Sequence, residues 1–118
     1  MLRGFFQNNC PYIKLIVVGS TGEKEITALL DTGFNGYLTL PESDCAEIGL
    51  ERVGVGSSTV ADGSSSPYID YRGKAICNGE RIIIDIESQP KCKILFGMSL
   101  LKELHLNLFV DIEADRVE

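Results

Sequence analysis

A chain of 118 residues with 44% apolar composition fits one domain, 1–118, around a compact core. Its formal charge of −6, with no cluster of Lys and Arg, argues against a nucleic-acid partner, because phosphate binding needs concentrated positive charge. No apolar run approaches the length of a membrane span, so a soluble protein with no membrane partner is expected.

The first nine residues carry one positive charge, at Arg3, no apolar h-region and no clear strand pattern, and a cytoplasmic location is the expectation. Tyr12 to Val18 alternates Ile13, Leu15 and Val17 with Lys14 and reads as a strand, while Ile16 and Val18 imply that both faces become partly covered. Ser20-Thr21-Gly22 supplies a turn. Glu25 to Leu30 returns as a second strand, with Ile26, Ala28 and Leu30 on one face. This hairpin leads into Asp31-Thr32-Gly33-Phe34-Asn35-Gly36, where Gly33 and Gly36 are expected to take backbone angles that a side chain would penalise, leaving amides accessible beside the acid.

Tyr37 to Leu40 resumes as a strand. Pro41 suits the first turn of a helix, Glu42 and Asp44 complement its positive end, and Gly49 suits its exit. Glu51 to Ala61 and Ser65 to Cys77 flank Asp62-Gly63, a hairpin-turn pair, and Asn78-Gly79 is a second such pair. Glu80 to Glu87 follows, with Ile82, Ile84 and Ile86 on one face. Lys93 to Phe96 is a short strand, Leu100, Leu101 and Leu104 share a helical face, and Leu106 to Val110 is a final strand before a turn at Glu113-Ala114-Asp115 and a charged tail.

Among the side chains that carry chemistry, Asp31 stands out. A carboxylate directly after Ala28, Leu29 and Leu30 stands at the end of a buried strand, where its charge is costly unless it is hydrogen-bonded or neutralised. If two copies of Asp31 faced each other, repulsion would leave one carboxylate as base and the other as acid. The structural alternative is an aspartate that stabilises its own turn by accepting local amide hydrogen bonds. Cys10, Cys45, Cys77 and Cys92 lie singly, without Cys-x-x-Cys spacing or a paired histidine, and are expected to be ordinary reduced cysteines with no metal site. His105, the only histidine, reads as a helix-end or surface residue and not as a base.

Leu29-Leu30-Asp31-Thr32-Gly33 resembles the active-site loop of retropepsins, the single-lobe aspartic proteases of retroviruses and their cellular and prokaryotic relatives. Ile94-Leu95-Phe96-Gly97-Met98-Ser99-Leu100-Leu101 is similar to the family's apolar-apolar-glycine motif and the short helix after it, and the match in order and spacing covers most of the chain. The resemblance implies a mostly β, closed-barrel-like retropepsin (acid protease) fold with two short helices. It also implies an aspartic endopeptidase acting as a homodimer on a peptide or protein substrate, with no cofactor and no metal. Asp31 would be catalytic, Thr32 would bond across the dimer to the opposite loop, and Gly33 would let substrate approach. Gly97 would permit close backbone approach to the catalytic loop. The resemblance makes Gly33, Asn35, Ala61, Asp62 and Gly63 the substrate contacts, the last three at the tip of a flap formed by the hairpin from Thr59 to Ser66. Phe34 and Phe96 depart from the residues usual there, and Asn35 stands where retroviral members often use an aspartate. A non-catalytic peptide-binding or dimerisation module on the same fold is the alternative reading.

Overall fold

The computed structural model describes residues 4–59, 63–104, 110–111 and 116–117. Its strands are β1 (Gly4–Gln7), β2 (Cys10–Val18), β3 (Glu23–Leu30), β4 (Leu38–Pro41), β5 (Glu51–Thr59), β6 (Ser65–Cys77), β7 (Glu80–Gln89), β8 (Leu95–Phe96), β9 (Val110–Asp111) and β10 (Arg116–Val117), with helices α1 (Glu42–Ile48) and α2 (Met98–Glu103). One mixed sheet runs in the order β5-β6-β7-β4-β8-β3-β2-β1-β10-β9, and a further pairing of β2 with β6 closes six of these strands into a ring. The fold is therefore the mostly β, near-barrel arrangement with two short helices that the sequence implied.

Alternation along the strands explains the ring. Ile13 and Leu15 of β2 lie opposite Ala28 and Ile26 of β3, and all four turn inward. Leu38, Leu40, Ile84, Ile86 and Leu100 fill the same interior, joined by Phe96, which is fully buried. Each such side chain contributes roughly 1.5–3 kcal/mol by leaving water, so the aromatic ring at 96 is accounted for as core volume. Both parallel contacts lie at the centre: β3 runs beside β8, and β4 beside β7.

Helix α1 and the β2–β3 turn satisfy each other. Gly49 ends the helix in the left-handed region at φ 68°, and the carbonyls of Ile48 and Gly49 accept the amides of Thr21 (3.1 Å) and Ser20 (3.0 Å). Pro41 is not inside the first turn of α1; it is the last residue of β4 and the helix N-cap, with an extended ψ of 148°. Lys24 reaches across from β3 to Asp44 (2.7 Å) and Glu47 (2.8 Å) of α1.

The N-terminal segment differs from the sequence expectation. Gly4–Gln7 is a strand, turned back onto β2 by Asn8 and Asn9 at φ 52° and 63°. Two asparagines are among the few residues that tolerate such angles, and that pair was the overlooked turn signal. The other edge of β1 carries β10, so part of the charged tail joins the sheet. His105, the turn at Glu113-Ala114-Asp115 and all but Val110 of the expected strand Leu106 to Val110 lie outside the described residues.

Candidate active site

Asp31 follows the last residue of β3, and its position is fixed from three sides by backbone. The amide of Leu29 donates to the carbonyl of Ile94 (2.8 Å), that of Asp31 to Phe96 (3.0 Å), and that of Phe34 returns to the carbonyl of Asp31 (3.1 Å). The carboxylate is half-buried, and its Oδ1 accepts the amide of Gly33 at 2.9 Å. That bond is the one a purely turn-forming aspartate would make. Among the described residues Oδ2 has no hydrogen-bond donor.

The next residues are clipped to the start of α2. The carbonyl of Phe34 accepts the amide of Met98 (2.8 Å), that of Gly36 the amide of Ser99 (3.1 Å), and that of Tyr37 the amide of Gly97 (2.9 Å). The hydroxyl of Ser99 donates to the carbonyl of Asn35. A helix leaves its first amides without internal partners, and Gly97 has no side chain to cap them. Loop carbonyls take that role here, so α2 and the Asp31 loop hold each other in place. Ser99 was not singled out in the sequence; a serine two residues after a helix-starting glycine was the available signal.

Thr39 ties the same region from β4, accepting the amide of Leu95 (2.8 Å) and donating to the carbonyl of Lys93 (2.6 Å).

Gly33 and Gly36 depart from expectation, because neither takes a positive φ. Gly36 is required for space: a β-carbon there would stand 2.6 Å from Cζ of Phe34. The Phe34 ring also lies against Gly97, so an aromatic residue after Asp-Thr-Gly is accommodated by two glycines that make room for it. A β-carbon on Gly33 would meet Oδ1 of Asp31 at 3.3 Å, a tight contact that the glycine avoids.

Of the other expected site residues, Thr32 and Asn35 are exposed beside Asp31. Gly63 is exposed at the turn between β5 and β6 with φ 87°, as a hairpin tip requires, while Ala61 and Asp62 lie outside the described residues.

Beside the loop is a cavity of ≈ 240 Å³ whose lining includes Phe34, Tyr68, Glu87, Ser88, Lys93 and Leu95. Burial, reinforced by the charge of Asp70, raises the carboxyl of Glu87 above the ordinary glutamate range, and burial followed by the charges of Glu87 and Asp70 raises the Tyr68 phenol. Sequence alone placed Glu87 only at the end of a strand. The four cysteines are free thiols, Cys45 and Cys77 being buried.

No protein-family model matches the sequence, and no curated protein matches it. Solved structures do match. The EIAV protease complexed with the inhibitor HBY-793 superposes with a TM-score of 0.72 at 15% identity, over 90% of this chain and 98% of that one. The solution structure of simian foamy virus (mac) protease matches with a TM-score of 0.57 at 14% identity, over 81% of this chain and 97% of that one. At these identities the likeness is one of architecture, and what it shows is that this chain has a retropepsin-like fold.

Proposed function

We propose that the protein is an aspartic endopeptidase that hydrolyses peptide bonds as a homodimer, each chain supplying one Asp31. The observation that carries this reading is the half-buried carboxylate of Asp31, held by Gly33 on one oxygen and, among the described residues, without a donor on the other, in a fold shared with retroviral proteases. Two such carboxylates hold one water and share one proton. One takes a proton as the water attacks the peptide carbonyl, and the other protonates the developing oxyanion. In this reading the exposed Thr32 bonds to the opposite loop, Gly33 and Asn35 flank the substrate backbone, and the hairpin tip with Ala61, Asp62 and Gly63 closes over it. The free thiols suit a reducing compartment, and the cytoplasm is the proposed location.

Asp31→Asn tests the proposal. The substitution keeps an acceptor for the Gly33 amide but removes the titratable group from both chains, so peptide hydrolysis should fall to background while thermal unfolding and dimer mass stay unchanged. Wild-type turnover in the variant would overturn the assignment. Specific activity of the wild type should also decline on dilution, and an active monomer would refute the shared site. Binding of peptides by the wild type without cleavage would instead favour a non-catalytic peptide-binding module.

A further inference from the structure

The β6–β7 ladder carries two neighbouring charged rungs that differ in kind. Arg72 faces Asp85, and their side chains meet at 3.4 Å as an ion pair. Two residues along, Asp70 faces Glu87, and both are acids. Like charges directly opposite each other on a sheet are destabilising, and among the described residues no cation forms an ion pair with either. Lys93 lines the same cavity as Glu87 but is exposed and does not pair with it.

Glu87 is also placed against the Asp31 loop. Its Oε1 lies 3.5 Å from the position that a β-carbon on Gly36 would occupy. The cavity it lines is walled by the rings of Phe34 and Tyr68, flat surfaces suited to an alkyl stem, with the carboxylate available to a charged head. A cationic guest therefore finds an acid that no cation among the described residues pairs with.

We infer that the cavity beside the Asp31 loop receives a basic side chain of the substrate, a lysine or arginine near the scissile bond, and that Glu87 is the residue that selects it. The inference rests on the peptidase reading and adds a substrate class to it. A cation entering the cavity supplies the charge that the Asp70–Glu87 rung lacks, while an acidic side chain would add a third like charge.

The test uses matched sets of peptides, each set carrying Lys, Leu or Glu in turn at one position of a common extended scaffold. At one position kcat/KM should favour Lys over Leu by about tenfold, equivalent to about 1.4 kcal/mol, with Glu the poorest. Glu87→Gln should collapse the Lys-to-Leu ratio towards one, and Glu87→Lys should turn the preference to Glu. Rates within twofold of each other at every position, or a Lys preference that survives Glu87→Gln, would overturn the inference. The same peptides are also titrated against the protein by fluorescence anisotropy. If nothing is cleaved, the peptidase reading fails; a Glu87-dependent preference for the Lys peptide in binding would then still uphold the cavity's selectivity, and equal binding of all three would refute it.

Discussion

Gly97 and Gly36 approach so closely that a β-carbon on residue 97 would overlap the carbonyl oxygen of residue 36. The obstructing atom is backbone, and that backbone is itself fixed, because the Gly36 carbonyl accepts the Ser99 amide and the Gly97 amide donates to Tyr37. Neither partner can give way without undoing the clip between α2 and the Asp31 loop. The close approach attributed to Gly97 by family resemblance is thus present in this chain as a steric fact.

Gly97→Ala is accordingly expected to cost about 3 kcal/mol, as forced overpacking does, and to displace the Asp31 loop. Denaturant unfolding measures the first effect and peptide hydrolysis the second. A variant with wild-type stability and turnover would show that the loop is held some other way.

What was legible in the sequence follows from where local chemistry decides structure. Period-two runs such as Ile13, Leu15 and Val17 gave strands, and Asn78-Gly79 gave a turn, with φ 53° and 79°. Gly36 is held to glycine by the neighbouring Phe34 ring, and in sequence such a glycine looks the same as one required by a positive φ. Glu87 was not legible at all. Its setting depends on Asp70 across the ladder and on the Phe34 loop far back in the chain, contacts that no local pattern encodes.

The acidic rung makes a prediction about stability and pH. Burial, then the charge of Asp70, raises Glu87, and burial, then the charge of Asp85, raises Asp70, so the folded state holds these protons more tightly than the unfolded chain does. Their contribution is fully present below the unfolded carboxyl pKa values of about 3.9–4.3 and is lost as pH rises through the higher folded values. Relative to wild type, Glu87→Gln should gain denaturant resistance as pH rises through that window. Parallel curves for the two proteins between about pH 4 and 7 would refute the coupling.

The hairpin tip makes a separate one. Gly63 sits at φ 87° with nothing within 4 Å of the place a β-carbon would take, so a side chain there meets a conformational cost without a clash. Gly63→Val should cost about 1–2 kcal/mol, confined to the hairpin. Hydrogen exchange should quicken between β5 and β6, and, if the hairpin closes over substrate, KM should rise. Faster exchange with KM unchanged would mark it as an ordinary surface hairpin.

The last prediction separates the two glycines that flank Phe34. At Gly36 the atoms a β-carbon would strike are Cζ and Cε1 of the Phe34 ring, at 2.6 and 2.7 Å, both side-chain atoms; the Glu87 carboxylate at 3.5 Å is in ordinary contact. At Gly97 the ring is struck too, but so is the Gly36 carbonyl, which no side-chain truncation removes. Gly36→Ala alone should therefore destabilise the protein by about 1–3 kcal/mol, and Phe34→Ala in the same chain should recover much of that loss. Gly97→Ala should show no comparable recovery when combined with Phe34→Ala. Two double-mutant cycles, read by denaturant unfolding, give the coupling energies directly: large and favourable for 34 with 36, small for 34 with 97. Equal coupling in both cycles would mean that ring crowding alone decides what residue 97 can be, and the backbone contact between Gly97 and Gly36 would lose its place in the explanation.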